Sequence, residues 1–161
     1  MAVSASDVVL DGLRVGDAGW LVMRHAEAYA EGFDASFEPL VARILADFLD
    51  RHDPARERGW IARAGDWRLG SIFCVQGPTP DTAKLRLFYL EREARGLGRR
   101  MLEECLRFAR QAGYARMTLR THESHRAACA LYARTGFACI GARPVHSFGC
   151  DLVEQEWARD L

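Results

Sequence analysis

A chain of 161 residues, 49% of them hydrophobic, has the size of one globular domain with a substantial core. Its formal net charge is zero, which argues against general nucleic-acid or membrane-surface binding. No apolar run approaches the roughly 18 residues of a membrane-spanning helix, and the opening MAVSASDVVL has no basic segment ahead of an apolar one, so no secretory leader is expected.

In chain order, Val8 to Val15 reads as a strand, and Asp17 stands where it could cap a helix from about Gly19 to Tyr29. Phe37, Leu40, Val41, Ile44, Leu45, Phe48 and Leu49 repeat at helical spacing, and Asp53-Pro54 ends that second helix. Trp60 to Arg63 and Leu69 to Val75 form a predicted hairpin around Ala64-Gly65-Asp66, and Gly77 to Asp81 is a turn-rich connection. A strand over Ala83 to Leu90 follows. Met101, Leu102, Cys105, Leu106 and Ala109 mark a third helix, which Gly113 stops. Met117 to Thr121 is a strand, Ser124 to Arg134 a fourth helix closed by Gly136, and strands near Ala138–Ala142 and Asp151–Trp157 complete the chain. This alternation predicts an α/β fold, one domain over residues 1–161 with a mixed sheet covered by helices.

Arginine supplies 21 of the 22 basic residues, with Lys84 the only lysine, as genome-wide composition bias also produces. The five cysteines are far apart and make no CxxC pair, which points to reduced thiols in a cytoplasmic protein rather than to disulfides or zinc.

The stretch Glu91 to Leu102, EREARGLGRRML, carries the first chemical signal. A strand, two glycines and a helix start together make a phosphate-holding device. The first helical N–H groups lack intrahelical partners, and the helix dipole leaves about +0.5 charge there. Glycine lets backbone approach an anion, and Arg95, Arg99 and Arg100 would add donors. No Gly-Lys-Ser/Thr follows and the third glycine of a dinucleotide fingerprint is missing. Taken alone, the stretch fits a phosphate cradle or an ordinary tight turn.

Downstream, Ala128-Cys-Ala-Leu131-Tyr132-Ala-Arg-Thr-Gly136-Phe137 resembles the A-x-x-L-Y-x-x-x-G-F signature of the GNAT superfamily of N-acetyltransferases. Arg24-His25, Asp53 to Arg56, Trp60 to Ala62, Lys84 to Leu87, His146 to Gly149 and Asp151-Leu152 resemble a subgroup often fused behind a winged-helix regulator, and no such regulator is expected within this length. The resemblance implies about seven strands, mostly antiparallel and splayed in the middle, flanked by four helices. It implies acetyl-CoA as co-substrate, its pyrophosphate on the amides of Gly96, Leu97 and Gly98 with Arg95, Arg99 and Arg100 beside them. The pantetheine arm would pair along Tyr89 and Leu90, and Tyr132 would be the general acid at the sulfur. A phenol of pKa ~10 can donate a proton to a thiolate whose parent thiol has a pKa of ~8.5.

The loop is two residues short of the family's Arg/Gln-x-x-Gly-x-Gly/Ala pattern. Helix phase selects the register ending at Gly98, because Met101 and Leu102 stand three and four residues after it, and the other register turns the apolar face by ~200°. That register puts Glu93 opposite the diphosphate.

On the acceptor side, His25 and Tyr29 share a face of the first helix. The resemblance puts them and His146 around the amine. Candidate bases are His25, Glu27, Glu38, Glu123, His125 and His146. His122 and His125 lack zinc-helix spacing, so no metal is expected. The expected function is acetyl transfer to a small-molecule or peptide amine in a ternary complex, with a homodimer kept open as the assembly. The rival is a non-catalytic acyl-CoA sensor or regulatory partner domain.

Overall fold

The computed structural model describes residues 3–94 and 96–161. Seven strands form one mixed sheet in the order β1-β2-β3-β4-β5-β7-β6. They are β1 (Val9–Asp11), β2 (Arg58–Ala64), β3 (Trp67–Gln76), β4 (Thr82–Leu90), β5 (Arg116–His122), β6 (Ala138–Ser147) and β7 (Cys150–Asp160). The helices are α1 (Asp17–Tyr29), α2 (Phe37–Arg51), α3 (Leu97–Gln111) and α4 (Arg126–Arg134). All neighbouring strands run antiparallel except β4 and β5. Among the described residues no helix is long and apolar enough to cross a membrane.

Alternate residues of the central strands serve two cores, as the period of 2 requires. Trp60, Ala62, Ile72 and Cys74 join the larger core with Met101, Leu102, Cys105 and Leu106 of α3. Ile61 and Phe73, on the opposite face, pack with Leu21 of α1 and Val41 and Leu45 of α2. The α3 residues recur every three or four positions, so one stripe is buried and Arg99, Arg100, Glu103 and Arg107 stay outside.

The two predicted helix stops share one geometry. Gly113 has φ +90°, its N–H bonds to the Arg110 carbonyl, and the Tyr114 N–H reaches back to that of Ala109. Gly136 has φ +87°, its N–H bonds to the Ala133 carbonyl, and the Phe137 N–H reaches back to Tyr132. Both are Schellman caps, which need a left-handed residue and so favour glycine.

Two expectations change. The first strand is only Val9–Asp11, and the chain turns through Gly16 at φ +90°. Asp17 does not cap α1: it is the helix's first residue, fully buried, and Gly16 takes the cap position. Its carboxylate accepts from the Arg14 N–H at 2.5 Å, from Arg68 Nε at 2.7 Å and from Arg63 Nη2. Burial pushes the Asp17 pKa up, but these donors outweigh it and hold the pKa below the ordinary value. The knot ties the start of α1 to the β2–β3 hairpin.

Replacing Asp17 with Asn leaves Arg68 without a counter-charge and Arg63 with only Asp11, at 4.0 Å, and urea unfolding should show a loss of about 3 kcal/mol or more. Because the folded-state pKa is lowered, the Asp17 contribution is present above the unfolded value of ~3.9 and lost as pH falls through the folded one. The variant should therefore flatten the acid limb of the stability curve.

Candidate active site

Strands β4 and β5 pair only at Thr82–Lys84 with Arg116–Thr118. Beyond that point β4 stays on β3 and β5 on β7, so the two diverge. A bulge in β4 is the local cause. Ser71 pairs with Tyr89 and Phe73 with Arg86, so three steps of β4 span two of β3. Leu87 adopts φ +48°, and its carbonyl accepts from Ser71 Oγ at 2.7 Å. The extra residue reverses which side chains face the larger core, from Ala83 and Leu85 before it to Phe88 and Leu90 after it.

The β4 end of the fork leads into the glycine stretch. Gly96 has φ +88° and sits at the cap of α3, with open space where a side chain would stand. Gly98 is buried in the first turn, and a Cβ there would come 3.1 Å from both Leu131 and Leu90, so its smallness serves close packing. Leu97 is buried, and Met101 and Leu102 are fully buried, as the helix phase predicted. Among the described residues no acceptor takes the N–H of Leu97, Gly98 or Arg99. Arg99 pairs with Glu103 at 2.9 Å, and Arg100 donates to the Ala5 carbonyl at 2.9 Å. Arg95 and the Glu93 side chain lie outside the described residues. Tyr89 and Leu90 pair with Ser71 and Gly70 of β3, and their opposite edge has no strand partner among the described residues.

A cleft of about 630 Å³ opens at the fork between α1, α2, β4, β5 and the start of α4, and His25, Tyr29 and Tyr132 all line it. Tyr132 is 4% exposed, with Phe137 at 5.8 Å and Phe88 and Trp157 at 6.3 Å between ring centres. Burial pushes its phenol well above the ordinary range, with Cys129, Tyr29 and Cys105 adding to the shift. The A-x-x-L-Y-x-x-x-G-F spacing thus has a mechanical meaning here. Tyr132 is the residue to which the cap of Gly136 and Phe137 returns, so the helix stop fixes the phenol in the cleft wall.

Three imidazoles line the same cleft. His25 Nδ1 bonds the Leu21 carbonyl at 2.7 Å; a carbonyl only accepts, so Nδ1 carries the proton and Nε2 keeps its lone pair. His125 Nδ1 lies 3.2 Å from Thr121 Oγ1. His122 Nδ1 is buried with no hydrogen-bond partner among the described residues. Burial lowers the pKa of all three, against the Leu21 carbonyl at His25 and the Glu154 carboxylate at His122, while His122 lowers His125 further.

The predicted site residues do not all converge. His146 projects near the tip of the β6–β7 hairpin, its side chain 70% exposed, bonded to Asp151 at 2.8 Å and outside the cleft lining. The hairpin sends Phe148 instead, at φ +55°, to rings of Phe33 and Phe37 at 4.8 and 5.0 Å. Glu27 pairs with Arg24, Glu38 lines a separate hollow, and Glu123 is exposed. His122, which the sequence offers only as a metal ligand, lines the cleft as well. Its one signal was its place at the end of β5. Among the described residues no group of three His, Cys, Asp or Glu is placed to hold a metal ion.

Residues 21–137 match the Acetyltransferase (GNAT) family model. The chain belongs to the GNAT acetyltransferase family. It is 32% identical over 112 residues to human N-acetyltransferase 8, covering 64% of this chain and 45% of that protein. N-acetyltransferase 8F1 of Rattus norvegicus is 28% identical over 105 residues, covering 62% and 48%, so this GNAT chain spans about half the length of either relative. The fold resembles yncA of Salmonella typhimurium, a structure with its cofactor acetyl-CoA, at TM-score 0.77 and 16% identity over 96% of this chain and 94% of that one. A GCN5-related N-acetyltransferase from Kribbella flavida aligns at TM-score 0.76 and 20% identity over 98% and 100%.

Gly136→Ala should cost about 1–2 kcal/mol, because φ +87° is a left-handed conformation that a Cβ disfavours. Gly141→Ala is the control, with open space and no positive φ, and should leave the thermal midpoint unchanged.

Proposed function

We propose that this chain transfers an acetyl group from acetyl-CoA to a primary amine by direct attack in a ternary complex. Tyr132 serves as general acid, and His122 serves as the base that removes the acceptor's proton through water. The observation that carries this reading is the fork itself. It joins an open helix start at Gly96 to an unpaired strand edge, and then to a cleft lined by Tyr132 and His122. The solved relative named with acetyl-CoA shares that fold.

The residues present fit the co-substrate. The amides of Leu97, Gly98 and Arg99 and the positive end of the α3 dipole would receive the diphosphate, and open space at Gly96 admits it. The free edge from Leu85 to Leu90 would receive the amide arm. Acetyl-CoA supplies an activated acetyl thioester. Tyr132 stays protonated through the neutral range and donates to the sulfur as the carbon–sulfur bond breaks. The amine nitrogen forms the new bond to the acetyl carbon, and its surplus proton passes to His122, whose ring is neutral at pH 7 because burial lowers its pKa.

A thiol-release assay over a panel of amines tests the assignment. Tyr132→Phe should lower kcat by roughly a hundredfold or more. Calorimetric binding of acetyl-CoA by both proteins separates lost chemistry from lost binding; tight binding with no acetylation of any amine would favour the sensor reading. In wild type kcat/KM should climb with pH below the ordinary histidine value of ~6.5 as His122 loses its proton, then level off. A His122→Gln variant that keeps this limb would remove His122 from the base role.

A further inference from the structure

The cleft has an electrostatic character that its amine-acceptor reading does not predict. Among the described residues, six arginines are buried or half-buried: Arg24, Arg56, Arg63, Arg68, Arg86 and Arg159. Five have acceptors: Arg24 on Glu91, Arg56 on the Ala112 and Pro80 carbonyls, Arg63 and Arg68 on Asp17, and Arg159 on the Thr135 carbonyl. Arg86 has none among the described residues, neither a hydrogen bond nor a carboxylate within 4.0 Å. It lines the cleft from the β4 side of the fork, just before the bulge. A guanidinium is always charged and carries five N–H donors, and the Arg86 nitrogens, unpaired among the described residues but not sealed from solvent, are open to an anionic ligand.

Arg86 also borders an adjoining hollow lined by Asp47 and Glu57, but among the described residues no carboxylate pairs with it. Arg120 of β5 and Arg126 of α4 line the same cleft, and among the described residues Glu154 of β7 is the one carboxylate that does. Glu154 is already bound by Arg143 Nε at 3.2 Å and Nη2 at 3.0 Å. Lys84, also on β4, is half-buried and close enough to feel both Arg86 and Arg120, with Glu154 and Glu156 on the other side. Asp47 of α2 acts on Arg86 only from beyond ion-pair distance. In a chain of zero net charge, the acceptor side of the cleft is thus locally positive. The wall facing these cations is apolar, built of Phe33, Phe37, Leu40 and Ile44 from the α1–α2 connection and α2.

A purely cationic acceptor, such as a polyamine, would be repelled here. We propose that the acceptor is an amine that also bears a carboxylate on an apolar frame, an apolar amino acid or its like, with the carboxylate on Arg86 and the frame against Phe33 and Phe37. This rests on the transferase reading and names the class of its second substrate. A positive field also favours the neutral amine over the ammonium, which is the form that attacks.

Paired acceptors test it: phenylalanine, phenylalaninamide and phenethylamine share the frame and differ at the carboxylate. Wild-type kcat/KM should be about ten- to a hundredfold higher for phenylalanine than for either analogue, the range of a charge-assisted hydrogen bond. Arg86→Gln should reduce that ratio at least tenfold, through KM rather than kcat. Equal or better use of phenethylamine by wild type would overturn the proposal. So would an Arg86→Gln change that weakens acetyl-CoA binding as much as phenylalanine, since the guanidinium would then serve the co-substrate. Titration of N-acetylphenylalanine and N-acetylphenethylamine into the chain with saturating CoA keeps the two readings apart. Carboxylate-dependent binding lost in Arg86→Gln, without turnover, would sink the transferase and keep the acceptor class; equal binding of both would sink the acceptor class.

Discussion

One inserted residue organises the active half of this molecule. Leu87 sits in a left-handed conformation that costs a non-glycine residue roughly 1 kcal/mol, and the Ser71 hydroxyl holds its carbonyl in place. The bulge bends β4 away from β5, ends their ladder after Lys84, and shifts the larger core's contacts from Ala83 and Leu85 to Phe88 and Leu90. Without it, β4 and β5 could zip together and no opening would connect the α3 start with Tyr132. Backbone strain and a lost parallel ladder are both local, and the two cores on either side of the sheet compensate for them.

The second organising device is the end of α4. Tyr132, Gly136 and Phe137 form one unit in which the glycine permits the left-handed turn, the Phe137 amide closes it, and the Phe137 ring packs on the tyrosine. A sequence signature that looks chemical is to that extent a folding instruction. The phenol is positioned by the backbone reversal beneath it, without a hydrogen-bonded partner among the described residues.

Much of this was legible from the residues. The buried stripe of α3 follows from Met101, Leu102, Cys105, Leu106 and Ala109, and both helix stops follow from glycines after amphipathic runs. What sequence could not show were features that exist only across the chain. The pattern Lys84-Leu-Arg-Leu-Phe-Tyr-Leu90 alternates and then runs apolar, and nothing local says that an extra residue interrupts it. Asp17 has the chemistry of a cap; its side-chain partners lie 46 and 51 positions away, on the far hairpin. His122 looked like half of a metal pair because its isolation among Phe33, His125 and Glu154 is a tertiary fact. Arg86 looked like any other arginine in an arginine-rich chain, and only the accounting of acceptors distinguishes it.

The helix that roofs the cleft is held very differently at its two ends. Its start is bolted to the sheet by a carboxylate sunk among guanidiniums. At its end the Tyr29 side chain packs on the rings of Phe33, Phe37 and His125, and the chain beyond it is joined to the β6–β7 hairpin through the Asp34 amide and the Phe148 carbonyl at 2.8 Å. Rigidity and adaptability are thereby assigned to opposite ends of one element. Lineages can resculpt the aromatic end to admit a differently shaped guest while the charged rivet keeps the scaffold intact, so selectivity can drift faster than foldability.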